Sequence, residues 1–416
     1  MAVSPFGTLP LGIPGNPVPY THHIPSNTLH HLPHLVRSVD IAVPSYYNTH
    51  AYTPNGTFGT SLEWLSSAAH TWVNDFDWRA HEDHWNSFPN FKINVTTPSD
   101  NQAFNLHFAA LFSKKKDAVP IILMHGWPGS WLEFVPLLDL IVEKYTPETL
   151  PFHVIVPSIP DYGLSTRSDE LTKELDLKGA SEAMNELMKA LGFGVGGYIA
   201  QGGDVGYALA AYMSAKFDEC KAVHLNLIFL DANQTAAIEA ANLPLTPEEE
   251  ATLAIGRAWG STGSSYAYEH GTRPATIALA AMTSPLAMLS WMGEKFIEWS
   301  DNRDPLSLDT ILAAVSFYWY TGCFGRALWS YRVLTPVIGG GIVDLPITFT
   351  KPFGYSAFPH ELSTLPKSWA DFLFPDNLVF YRRHDVGGHF AALQEPAAFL
   401  GDIEDFVAVV KTKVAF

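Results

Sequence analysis

The chain has 416 residues, of which 47% are hydrophobic and 13% aromatic, so it holds ample material for one large core with insertions and does not read as disordered. Its 25 Lys and Arg against 42 Asp and Glu give a formal charge of −17, which argues against nucleic acid and anionic membrane as partners and leaves a small uncharged or cationic ligand as the easier one. Cys220 and Cys323 are too few for a disulfide framework or a thiolate zinc cage, and the expected setting is reducing and cytoplasmic.

Met1 to Tyr20 is apolar, lacks a basic leader region and is broken by Pro5, Pro10, Pro14 and Pro17, so neither a signal peptide nor a membrane anchor is expected. An irregular arm is predicted as far as about Pro33. Ser61 to Val73 spaces its apolar residues three and four apart and predicts a helix, and a second helical stretch from Phe76 ends near Phe88. Strands follow over Lys92 to Val95, Phe104 to Phe112 and Val119 to Met124. After a helix over Trp131 to Glu143 comes another strand, Phe152 to Pro157. Next are a helix over Lys173 to Leu191, a short strand at Gly197 to Gln201, an Ala-rich helix over Val205 to Phe217 and a strand at Leu225 to Leu230. A strand at Leu378 to Tyr381 and a helix around Ile403 to Lys411 resume the alternation. Strands alternating with helices imply an α/β chain with a mostly parallel sheet covered on both faces. The stretch 232–341 breaks the pattern, being helical by spacing and rich in Ala, Met and Trp, and reads as an inserted lid. The expected division is an arm and helical segment at 1–100, core at 101–231, lid at 232–341 and core again at 342–416.

Gly202-Gly203-Asp204-Val205-Gly206 lies between a short apolar strand and an Ala-rich helix. Small residues at both ends permit the sharp turn that lifts the central side chain above a sheet, the form of a nucleophile elbow. Here that side chain is a carboxylate, which displaces a group at sp³ carbon and forms an alkyl ester. The plainer alternative is a glycine-rich turn with a capping Asp. Gly387-Gly388-His389-Phe390 follows a strand and precedes a helix, and nucleophile, acid, histidine is the chain order of α/β hydrolases. Glu361 is the best placed acid, with Asp231 its rival and Asp376 a weaker one. His125-Gly126-Trp127-Pro128 ends an early strand, where the N–H groups of Trp127 and Val205 would face negative charge on Asp204. The plainer reading is a tight turn before proline. Gly192 to Gly197 has the spacing of a dinucleotide fingerprint, but with a helix before it and a strand after it the order is reversed.

Taken together, these motifs resemble the microsomal-type epoxide hydrolase family with its soluble fungal members, from about Ser61 to the C-terminus. Phe76-Asp77-Trp78-Arg79-Ala80 and Phe88-Pro89-Asn90-Phe91 are similar to that family's N-terminal wrapping segment. Tyr266 before Thr272-Arg273-Pro274, and Tyr331 before Arg332, are similar to its two epoxide-activating tyrosines, with Tyr268 an alternative for the first. The resemblance implies an α/β-hydrolase fold with a helical lid. It implies Asp204 as nucleophile, Glu361 and His389 as acid and base, an apolar epoxide and water as substrates, no cofactor and no metal; a homodimer is left open. The rivals are a dehalogenase, which commonly holds Trp where this chain has Val205, and a non-catalytic scaffold, which would have lost part of the triad.

Overall fold

Runs of β-branched and aromatic residues apolar at every position form the middle of a sheet, because both of their faces meet other layers. Val119–Met124 is such a run, and Phe152–Pro157 and Tyr198–Gly202 come close to it, each with one polar residue, His153 and Gln201; all three are buried throughout. The computed structural model describes residues 4–53, 56–168, 171–334 and 349–416. Eight strands carry the sheet: β1 Asn90–Thr96, β2 Ala103–Leu111, β3 Val119–Met124, β4 Phe152–Pro157, β5 Tyr198–Gly202, β6 Cys220–Leu225, β7 Phe353–Ala357 and β8 Leu378–Arg383. Their order is β1-β2-β4-β3-β5-β6-β7-β8, with Val18–Pro19 added beside β1 and Thr166–Arg167 beside β2. β2 runs antiparallel to β1 and β4, and every pairing from β4 to β8 is parallel. That order and direction make an α/β-hydrolase sheet.

Before β1 come the longer helices α1 Ser26–Ser38, α2 Leu62–Asn74 and α3 Trp78–Trp85, with a single turn at Tyr46–Thr49 between the first two. α4 Val135–Lys144, α5 Leu177–Met188 and α6 Val205–Lys216 connect its strands. Between β6 and β7 come α7 Ala232–Ala241, α8 Pro247–Ala258, α9 Ser265–Thr272, α10 Pro274–Ala281, α11 Pro285–Glu298, α12 Leu308–Thr321, α13 Phe324–Ala327 and α14 Trp329–Leu334. α15 Lys367–Leu373, α16 Ala391–Gln394 and α17 Pro396–Lys411 complete the chain. Caps set many of these starts: Ser61, Asp77, Asp176, Ser284 and Ser307 each accept a first-turn N–H. The N-terminal helices lie on the inserted ones, α1 against α2 and α11, and Trp72 Nε1 donates to Ser316 Oγ on α12 at 2.9 Å. Glu82 joins arm to helix, accepting from Ile24 N at 2.6 Å and from Trp78 Nε1 at 3.1 Å.

The structure departs from expectation in several places. The arm is not irregular throughout, since α1 runs through Pro33, and its burial of Leu32 and Val36 offsets the N–H that proline lacks. The strand expected over Leu225 to Leu230 ends at Leu225, level with the end of β5: Leu225 pairs with Gly202, beyond which the chain turns into the elbow. The predicted helix Lys173 to Leu191 starts only at Leu177, capped by Asp176, and closes in a wide turn at Lys189–Phe193. β7 was not anticipated. The expected lid boundary at 341 lies outside the described residues. Among the described residues no single helix is long and apolar enough to cross a membrane.

Candidate active site

β5 ends and α6 begins at Asp204, whose backbone is held at φ 47° and ψ −127°. A side chain in that region is strained unless its surroundings fix it. They do so here by close approach. A Cβ on Gly202 would sit 2.0 Å from Gly206 O, and one on Gly206 would sit 2.1 Å from Met124 O, so the elbow closes against β3 only with glycine at both ends. From β3 the chain continues through His125 and Gly126, where a Cβ would lie 2.0 Å from Asp204 Oδ1. With that space open, the Trp127 N–H donates to Asp204 Oδ1 at 2.7 Å. Val205 N–H is the first amide of α6 and makes no such bond to the carboxylate.

The loops after β7 and β8 bring Glu361 and His389 to the same place. His360 and Gly388 form a parallel bridge, and His360 N donates to Gly387 O at 3.1 Å. His389 Nδ1 is 2.7 Å from Glu361 Oε1, and its Nε2 is 3.3 Å from Asp204 Oδ2. Glu361 is fully buried and its Oε1 also accepts from Leu362 N at 2.6 Å. Burial works against a charged imidazole, yet the two carboxylates outweigh it and raise His389 to about 10. At neutral pH the histidine is therefore a cation between two anions. Asp231 instead caps α7, accepting from Gln234 N at 2.8 Å on the surface, and Asp376 is also exposed.

Above Asp204, the inserted helices supply two phenols. Tyr266 on α9 and Tyr331 on α14 are both buried, with their hydroxyl oxygens 3.3 Å apart. Burial, with a contribution from Asp204, pushes both phenols well above their ordinary range, so they are protonated donors. They line a cavity of about 250 Å³ with Asp204, Val205, Phe229 and Trp259. Trp127 stacks on Tyr266 with centroids 5.3 Å apart and planes at 16°. Tyr268 also reaches this cavity but is 43% exposed. Among the described residues, no cluster of three or more His, Cys, Asp or Glu is placed to hold a metal.

A sequence model described as the epoxide hydrolase N terminus matches residues 17–134. The structure of Aspergillus niger epoxide hydrolase is 42% identical and superposes with a TM-score of 0.85, covering 97% of this chain and 99% of that one. The chain belongs to the epoxide hydrolase family. A curated protein of Dothistroma septosporum, provisionally named an epoxide hydrolase, is 39% identical over 405 residues, 97% of this chain and 93% of its own. Juvenile hormone epoxide hydrolase from Bombyx mori, at 22% identity and a TM-score of 0.81 over 96% of both chains, shares the fold.

Within this family member, the reading by sequence missed Glu133. It sits on the turn Trp131–Phe134, where a Cβ on Gly129 would fall 1.4 Å from its Oε1. Burial first, then Asp204, raises its carboxyl to about 8 although His389 pulls the other way. With His389, Asp204, Gln201 and Asn226 it lines a cavity of about 20 Å³, room for a single water. The available signal was a lone acid three residues after Ser130 in an otherwise apolar helix start. Also missed were the residues that hold the histidine loop. Trp299 O accepts from His389 N at 3.0 Å, Asp301 Oδ2 from Gly387 N at 3.0 Å, and Gln394 Oε1 from Gly388 N at 3.1 Å. No local motif announces contacts that span such sequence distances.

Proposed function

We propose that epoxide hydrolysis by this chain runs through a covalent ester on Asp204. The carboxylate attacks a ring carbon, the C–O bond breaks, and the ring oxygen takes a proton from the Tyr266–Tyr331 pair. His389 is an imidazolium at this stage, held so by Glu361 and Asp204. Alkylation removes the Asp204 charge and with it one of the two causes that keep His389 protonated. The histidine then gives up its proton, which restores the phenol, and becomes a base.

In the second step, His389 Nε2 takes a proton from water while the hydroxide adds to the ester carbonyl. Negative charge on that carbonyl oxygen is met by Trp127 N–H, with Val205 N–H as the nearest second donor. Collapse returns the electron pair to the diol oxygen, which takes the proton from His389, and the second water proton, left on the Asp204 carboxyl, passes to His389 Nε2 and restores carboxylate and imidazolium. The protonated Glu133 carboxyl holds the water in place. The observation that carries this reading is one carboxylate meeting an amide at 2.7 Å, an imidazole at 3.3 Å and a cavity bearing two protonated phenols. Phenols favour an epoxide over a halide, because a halide leaves as a stable anion and a ring oxygen leaves as a basic alkoxide. The test is to quench enzyme in acid milliseconds after mixing with styrene oxide and to map adducts by peptide mass. An adduct of the epoxide's mass on the Asp204 peptide is expected; an adduct elsewhere, or turnover of a chloroalkane in preference to the epoxide, overturns the reading.

A further inference from the structure

Helix α11 buries a lysine where a core-facing helix ordinarily places Met or Leu. The Lys295 side chain is 4% exposed, and burying an ammonium is costly unless it is matched by nearby negative or π density. Its Nζ bonds Glu294 Oε1, whose side chain is 24% exposed. The same Nζ lies over the Tyr266 ring, 4.8 Å from its centroid, and 5.7 Å from that of Trp291. Trp127 stacks on the Tyr266 ring as well. Among the described residues, no cation lies over Tyr331, which instead meets the His270 ring at 4.6 Å. Burial and Lys295 hold His270 neutral. Glu298 on the same helix is raised to about 7 by burial and Glu294.

The geometry points to Lys295 as a positioning residue that makes Tyr266 the stronger proton donor of the tyrosine pair. This rests on the reading of Tyr266 as a donor to the epoxide oxygen. A cation above a phenol ring draws electron density from it, which weakens the O–H bond and stabilises charge arriving on the oxygen as the proton leaves. Asp204 acts in the opposite sense, since its anion disfavours a phenolate. The buried ammonium therefore offsets the nucleophile's own effect on the donor. It touches no reacting atom and acts through the ring.

Stopped-flow mixing with excess styrene oxide, followed by tryptophan fluorescence, separates alkylation from ester hydrolysis. Lys295→Met is expected to slow alkylation about 10- to 30-fold, and Lys295→Arg, which keeps a cation, to retain most of the rate. Ester hydrolysis stays within about twofold in both. In a Tyr266→Phe background, Lys295→Met has little further effect, because the phenol through which it acts is gone. Should Lys295→Met not fold, Lys295→Gln takes its place in the same cycle. An unchanged alkylation rate on losing the cation, an equal loss with and without the Tyr266 hydroxyl, or a loss in Lys295→Arg as large as in Lys295→Met each overturns the proposal. If Tyr266→Phe itself alkylates at the parent rate, the donor role of Tyr266 falls and the Lys295 proposal with it; slow Tyr266→Phe with unaffected Lys295→Met removes only the latter.

Discussion

At His389 two carboxylates compete for one imidazolium, and their unequal burial separates their tasks. Glu361 is fully buried beside Nδ1, whereas the Asp204 side chain is 22% exposed, and on the mechanism proposed above Asp204 is the carboxylate whose charge alkylation removes. Glu361→Gln is accordingly expected to slow ester hydrolysis by about 100-fold or more while slowing ester formation less, so that the ester accumulates in rapid-quench experiments. Asp231→Asn leaves both steps unchanged, because that carboxylate is spent on the cap of α7. Of the tyrosines, each Tyr→Phe change slows alkylation by about 10²- to 10³-fold, with hydrolysis of the ester nearly unaltered, and the double change almost abolishes alkylation. Glu133 gives a different signature. Its carboxyl stands at about 8 against an ordinary 4.5, so the folded state holds this proton more tightly than the unfolded chain. That contribution to stability is full below pH 4.5 and is lost progressively as pH rises to about 8. Thermal melts should show Glu133→Gln gaining on the parent from pH 5 to pH 8 and no further above it; a constant offset at all pH values contradicts the shift.

Elements decide which residues meet, and here the reading from sequence was uneven for physical reasons. The elbow was legible because its small residues are dictated locally: a Cβ on Gly202 would lie 2.0 Å from Gly206 O, four residues on. Gly206→Ala is expected to cost roughly 2 kcal/mol or more, visible as a lower midpoint in urea, since the added methyl meets Met124 O and cannot move away. β7 escaped because Phe353-Gly354-Tyr355-Ser356-Ala357 looks like a turn, with Gly and Ser among aromatics. Gly354 is there to admit the Phe406 ring, which a Cβ would meet at 2.6 Å, and Ser356 is satisfied by Asp402 and His224. Both reasons lie in α17 and β6, far away in sequence. Choosing Glu361 over Asp231 had the same difficulty: both follow strands, and only the bridge between His360 and Gly388 sets one acid beside the histidine. The capped start at Ser61 was read, whereas the start at α5 was placed before its Asp176 cap and α1 was missed because its burial overrides its proline.

At the scale of the whole molecule, the sheet presents the Asp204 carboxylate and the inserted helices present the two phenols, so the groups of the proposed mechanism meet where the two layers face each other. Composition hinted at this division only in part: a chain of charge −17 that is 13% aromatic has material for an apolar interior that takes a neutral ligand. The cavity of about 250 Å³ lies between the two layers, with Asp204 on one side and Tyr266 and Tyr331 on the other. The central claim is that Asp204 gives an oxygen to the product. It is tested most directly by a single turnover with enzyme in excess in ¹⁸O-labelled water. The account predicts an unlabelled diol from that first turnover, with the label found in the Asp204 carboxylate afterwards. A first-turnover diol that carries the label would mean direct attack by water, and would contradict the account.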